Sequence, residues 1–199
     1  MSFRMEKYNP QKHDPQKVAE IIYAADVELN SYVLGEKKEA VQTIIKLLEM
    51  GNNYFASPYL ECALYQDKLV GIVVSSTVKD KLKLDRSSGM AFLKAFGLWT
   101  FLKRFPTMIK MDKIVNSNLD DDGFFIHFLS VDLPYQNQGI GTKIIENILK
   151  KHEKLYVDVN INNMQGKNFY EKMGFKVQSK NLIKIKNKEI GTYSLRTKE

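Results

Sequence analysis

The chain has 199 residues, 44% hydrophobic and 27% charged, with 11 glycines and 5 prolines; this composition suits a globular domain that buries a core and excludes a low-complexity chain. A single cysteine, Cys62, excludes an internal disulfide and a cysteine-based zinc site within one chain. Thirty basic against 23 acidic residues give a formal charge of +7, compatible with nucleic acid, anionic lipid or an anionic cofactor and equally with a solvated surface; the lysines lack the aromatic interleaving of a single-strand binding platform, and nucleic acid is not an expected partner.

From the N-terminus, Met1 to Lys7 lacks a signal peptide's apolar stretch, and no apolar run approaches the roughly 20 residues of a membrane span, so a soluble, cytoplasmic protein is expected. Alternation predicts a strand from about Phe3 to Tyr8. Asp14 and Pro15 supply the cap and first-turn proline of a helix with Val18, Ile21, Ile22 and Ala25 on its apolar face. A second helix carries Val41, Ile44, Ile45 and Leu48, with Gly51 as its stop. Leu60 to Tyr65 and Leu69 to Ser75, separated by Gln66-Asp67-Lys68, read as an antiparallel hairpin.

From about 80 to 120 the pattern changes. Met90, Phe92, Leu93, Phe96, Leu98, Trp99, Phe101, Leu102 and Phe105 nearly encircle a helix axis, which predicts burial on more than one side, while Gly97 and Pro106 interrupt the helical pattern. After the acidic turn Asp120 to Gly123, Phe124 to Val131 reads as a buried strand, and Pro134 to Gly141 leads into a helix with Ile144, Ile145, Ile148 and Leu149 on one face. A strand at Leu155 to Val159, a helix near Asn163 to Met173, and strands near Phe175 to Gln178 and Glu189 to Leu195 complete the chain. No internal repeat divides it, so 1–199 is read as a single domain with a helical insertion at approximately 80–120.

Gln136-Asn137-Gln138-Gly139-Ile140-Gly141 follows a strand and opens a helix, so its backbone N–H groups can converge on an anion. Neither the three-glycine dinucleotide fingerprint nor the P-loop fits, since Gly141 is followed by Thr142 and Lys143. A tight strand-to-helix turn also takes glycine for purely structural reasons.

This hexapeptide resembles the central cofactor motif of the GNAT acetyltransferases: Gln or Arg, two variable residues, Gly, one variable residue, then Gly or Ala. Downstream, Asn163-Met164-Gln165-Gly166-Lys167-Asn168-Phe169-Tyr170-Glu171-Lys172-Met173-Gly174-Phe175 is similar to the family's Asn, Tyr, Gly-Phe segment, with Gly166 standing where Ala is more usual. The diagnostic stretch spans Phe124 to Phe175. The resemblance implies an α+β fold with a mixed, mostly antiparallel sheet of about seven strands flanked by helices, the insertion falling between the third and fourth strands. It implies acetyl-CoA as acyl donor and no metal. Pantetheine is expected beside Leu129, Ser130 and Val131, the diphosphate on Gln138 to Thr142 within the turn that begins at Gln136 and Asn137, and Asn163 on the pantetheine arm. Tyr170 is expected to protonate the leaving thiolate.

The acceptor must be a neutral amine, whereas an amine near lysine's pKa of about 10.4 arrives protonated. His127, on the strand expected to hold the thioester, is the candidate base, with a core-residue role as the alternative. Glu28, Tyr32, Phe125, His127 and Trp99 are expected around the acceptor, the insertion acting as lid or wall. The function expected is N-acetylation of a primary amine, most simply a small molecule, by direct attack in a ternary complex. The alternative is a non-catalytic acyl-CoA-binding regulatory or interaction module; a homodimer through the insertion is also compatible with the sequence. His13, His152 and Cys62 are given no catalytic role.

Overall fold

The computed structural model describes residues 3–50, 53–55, 58–115, 118–185 and 187–197. Its seven strands are β1 (Phe3–Lys7), β2 (Leu60–Tyr65), β3 (Lys68–Thr77), β4 (Phe124–Val131), β5 (Leu155–Asn160), β6 (Phe175–Ile185) and β7 (Lys188–Thr197). They form one sheet in the order β1-β2-β3-β4-β5-β7-β6. The β4–β5 pair is parallel and the others are antiparallel, as the resemblance implied. Gln66 and Asp67, both at positive φ (51° and 59°), make the tight turn between β2 and β3.

Three helices, not two, separate β1 from β2. α1 (Pro15–Ala25) begins as expected, the Asp14 side chain accepting from the Gln16 N–H at 2.9 Å. It ends at Asp26, whose carboxylate caps α2 (Val27–Leu34) by accepting from the Leu29 N–H at 2.9 Å. Buried Asn30 secures this break, donating to the carbonyls of Ile22 and Tyr23 that α1 leaves open. α3 (Lys37–Glu49) buries Val41, Ile44 and Leu48 as read; Gly51, its expected stop, lies outside the described residues.

The insertion is two helices, α4 (Val78–Phe96) and α5 (Leu98–Asp112), joined at Gly97, whose φ of 75° favours glycine. Pro106 sits inside α5 without ending it. Expected burial on more than one side is not met in α4, which packs one face, with Ala91, Ala95, Phe92 and Phe96, against the α1–α3 core and leaves Met90 exposed. It fails also for α5, which leaves Leu98, Trp99, Leu102, Phe105 and Ile109 exposed.

One core lies between the sheet and α1–α3, centred on Ile22, Ile44, Leu47, Leu60 and Ile72. The other, on the opposite face, holds Ile126, Leu155 and Leu195 beneath α6 (Ile140–Leu149) and α7 (Met164–Lys172). Cys62 is buried in the first, and burial pushes its thiol up to about 12, so it is an apolar core residue and not a nucleophile. Two irregularities shape the middle of the sheet. β4 and β5 pair only at Phe124 with Leu155, Phe125 with Tyr156, and Ile126 with Val157. Opposite β3, the register slips between Val74, paired with Phe128, and Ser75, paired with Ile126, so His127 is the extra residue of a β-bulge.

Candidate active site

Where β4 and β5 part, a cavity of about 390 Å³ opens. β4 contributes Phe125, His127, Phe128 and Leu129, β5 contributes Val157 to Asn160, and Asn163 and Tyr170 stand beside them. His127, two residues on, shares the face of Phe125: its ring lies 5.1 Å from that of Phe125 and 4.6 Å from that of Tyr54. Its Nε2 is 2.8 Å from the Ser76 hydroxyl. His127 is reached from the cavity yet enclosed by protein, and this burial, with Lys81 nearby, pushes its imidazole down to about 3. It is therefore neutral at working pH and far less basic than an ordinary histidine. The ring stands on the strand where the sequence reading put it, with its basicity below the ordinary histidine value of about 6.5.

Tyr170 is buried, edge-on to Phe169 and Phe175 at 5.1 and 5.2 Å, and lines the cavity. Burial raises its phenol well above the ordinary value, so it holds its proton throughout the working range. Asn163 also lines the cavity, but its Oδ1 caps α7, accepting from the Gly166 N–H at 2.8 Å. A Cβ on Gly166 would come 2.7 Å from Nδ2 of Asn163. The glycine that departs from the family pattern thus makes room for the folded-back asparagine.

On the cofactor side, β4 from His127 onward has no strand partner facing β5. The chain then passes through a short 3₁₀ turn (Leu133–Tyr135) to α6, which has neither a capping side chain nor an acidic residue in its first turn. Asn137 and Gly139 both have positive φ, 60° and 74°. A Cβ on Gly139 would meet nothing within 4 Å, whereas one on Gly141 would meet the Phe169 ring at 3.3 Å. The two glycines thus serve different ends: Gly139 shapes an open turn, and Gly141 admits α7. The free strand edge and the uncapped N–H groups fit an elongated ligand with an anionic group. Side chains contribute less, because the Nε2 groups of Gln136 and Gln138 donate to the carbonyls of Val131 and Pro134, both at 3.0 Å, while Ile140 and Ser130 are buried. Thr142 is half-buried in the first turn of α6.

The acceptor side departs further from the sequence reading. Trp99 is 83% exposed and does not line the cavity. Tyr32 packs beside Met111, Ile114, Ile185 and Ile190, and Glu28 engages Lys188, Asn160 and Asn162. α2 instead presents Leu29, Asn30 and Val33, with Asp26 at its cap. The insertion does form a wall, through Lys81, Asp85, Ser88, Gly89 and Phe92 of α4 and Met108, Met111 and Asp112 of α5. The α4 residues recur at intervals that share one helix face, a signal present in the sequence but overshadowed by the aromatic run that follows. Among the described residues, the cavity lining holds four aspartates, Asp26, Asp85, Asp112 and Asp158, against one lysine, Lys81. Burial raises the carboxyl of Asp26, and burial with Asp112 nearby pushes Asp85 up to about 6. Burial lowers the ammonium of Lys81, whose Nζ is 2.9 Å from Asp85. Among the described residues no group of three or more His, Cys, Asp or Glu is placed to hold a metal ion, and no helix is long and apolar enough to cross a membrane.

Residues 110–177 match the family described as the Acetyltransferase (GNAT) domain. No curated protein matches the chain by sequence. Among solved structures, the chain is similar to an N-acetyltransferase from Staphylococcus aureus Mu50, at 18% identity over 98% of this chain and 100% of that one, with a TM-score of 0.71. It is also similar to a GNAT family acetyltransferase from Elizabethkingia anophelis solved with acetyl-CoA bound, at 15% identity, 99% and 98% coverage and a TM-score of 0.54. A third likeness is to the ribosomal-protein-S18-alanine N-acetyltransferase from Escherichia coli, at 12% identity, 98% and 93% coverage and a TM-score of 0.53. At these identities the structural likenesses establish the fold.

Proposed function

We propose that this chain is a member of the GNAT acetyltransferase superfamily of acyl-CoA-dependent acyltransferases, a reading supported by the match over residues 110–177 and by the shared fold, and that it transfers acetyl from acetyl-CoA to a primary amine in the cavity by direct attack within a ternary complex. The observation that carries this reading is the parting of β4 and β5 beyond Ile126 and Val157. It leaves a free strand edge that leads on one side to the uncapped α6 N-terminus and borders on the other an acidic chamber.

On this reading the backbone of Leu129 to Val131 holds the pantetheine arm with Asn163, and the N–H groups of Gln138 to Thr142 hold the diphosphate. The thioester supplies the acetyl group, and the chain's residues orient the amine and manage two protons. Asp26 is the better first proton acceptor. Its carboxyl is raised by burial and it lines the cavity, while its carboxylate also accepts from Leu29, Glu28 and Asn160, the last at 3.1 Å. Neutral His127 positions the amine by hydrogen bonding. Tyr170 keeps its proton in the resting site and passes it to the departing sulfur in concert with taking up the second proton that the attacking nitrogen sheds, so the buried phenol is restored.

Thiol release from acetyl-CoA in the presence of an amine panel tests the proposal. Acceptor-dependent release is expected; acetyl-CoA binding without release for any amine would leave a non-catalytic acyl-CoA-binding module instead.

A further inference from the structure

The face of α4 toward the cavity carries two features that packing does not explain. Ser88 is 3% exposed, lines the cavity, and its Oγ has no hydrogen-bonding partner among the described residues. A buried hydroxyl without a partner is costly and points to a missing one. Its neighbour Gly89 stands in mid-helix, where glycine is unfavourable, and a Cβ there would meet nothing within 4 Å. Beside this opening lie Asp85 and Asp112 with Lys81 as the only cation among the described cavity residues. Lys81 Nζ sits 2.9 Å from Asp85 and 5.3 Å above the Phe125 ring, and Asp112 has no hydrogen-bond or ion-pair partner among the described residues. Asp112 is exposed to solvent, and two carboxylates against one ammonium leave this end of the chamber net negative.

We infer that the acceptor is a small aliphatic diamine or polyamine, whose second ammonium is held by Asp112, Asp85 and the Ser88 hydroxyl while its reacting amine meets the thioester beside His127. This rests on the acetyl-transfer reading for the reacting end, while the distal site stands on its own geometry. One ammonium balances the local charge, donates to the orphaned Ser88 oxygen, and occupies the space beside Gly89. A chamber of about 390 Å³ suits a molecule of that size.

The test uses the full chain loaded with coenzyme A and measures calorimetric binding of 1,4-diaminobutane, butylamine and 4-aminobutanoate. Acetyl-CoA turnover is measured with the same three. Charge-assisted hydrogen bonds to the second ammonium predict about 10–100-fold tighter binding of the diamine than of butylamine, with the amino acid weakest. Ser88→Ala and Asp112→Asn should each reduce the diamine-to-butylamine ratio. Gly89→Leu, a strong helix former filling the open space, should raise thermal stability while lowering diamine affinity. Equal affinity for diamine and butylamine, or an unchanged ratio in Asp112→Asn, would overturn the inference. Selective diamine binding without turnover of any amine would uphold the site and refute acetyl transfer, so the two readings fail separately.

Discussion

At single residues, burial has sorted the proton chemistry. Tyr170 and His127 both shift toward their neutral forms, but with opposite consequences: the phenol remains a donor, while the imidazole loses its value as a base. Tyr170→Phe keeps the ring between Phe169 and Phe175, so fold and cofactor affinity should hold while turnover falls by roughly 10²–10⁴-fold, the usual range for loss of a general acid. Single-turnover kinetics check this, and a wild-type chemical step would remove Tyr170 from the acid role. For His127 the folded pKa of about 3 lies below the unfolded value near 6.5. Its contribution to stability is therefore full above about 6.5 and is lost as pH falls toward 3. Denaturant melts at pH 7 and 4.5 should show His127→Gln losing less stability than the parent on acidification. The same variant should keep the acidic limb of the pH–rate profile, and Asp26→Asn, which can still cap α2, should remove it.

At the level of elements, the glycine turn carries the cofactor reading. Gly139→Val places a β-branched residue at a φ of 74°, a strain of roughly 1–3 kcal/mol. A Cβ at Gly141 meets Phe169 at 3.3 Å. Acetyl-CoA affinity measured by calorimetry should fall for Gly139→Val with the fold retained, and Gly141→Val should lose thermal stability as well. Wild-type affinity in a folded Gly139→Val protein would undo the assignment of the diphosphate to this turn.

The sequence disclosed elements in proportion to the clarity of their apolar pattern. Phe124 to Val131 read correctly because a central strand packed on both faces is almost wholly apolar, and the helix bearing Ile144, Ile145 and Ile148 because one buried face wrote it. β6 was read short because as an edge strand it alternates Lys, Asn and Gln with few apolar residues, and its identity comes from pairing with β7. The break at Asp26 was missed because a residue that ends one helix and caps the next leaves no Gly or Pro mark. Of the site, the local motifs were legible: Gln136 to Gly141, Asn163 and Tyr170. The acidic chamber was not, because Asp26, Asp85, Asp112 and Asp158 come from four elements and meet only through the tertiary fold.

Across the whole molecule, charge is segregated. The chain carries a net +7, yet its cavity has four aspartates against one lysine among the described residues. On the proposed reading, the overall field would draw the anionic donor and the chamber a cationic acceptor. Raising salt from about 0.05 to 0.5 M shortens the screening length severalfold and should slow acetyl-CoA association, measured by stopped flow, more than dissociation. A salt-independent association rate would mean that the field does no steering. The exposed apolar face of α5 has a consequence of another kind. Trp99 is the only tryptophan in the chain and is 83% exposed. Intrinsic fluorescence excited at the indole band therefore reports the water-facing side of α5 and not the core, with emission already near that of free indole in the native protein. Unfolding should scarcely move its wavelength; a blue shift in the folded protein would instead register whatever comes to cover that face.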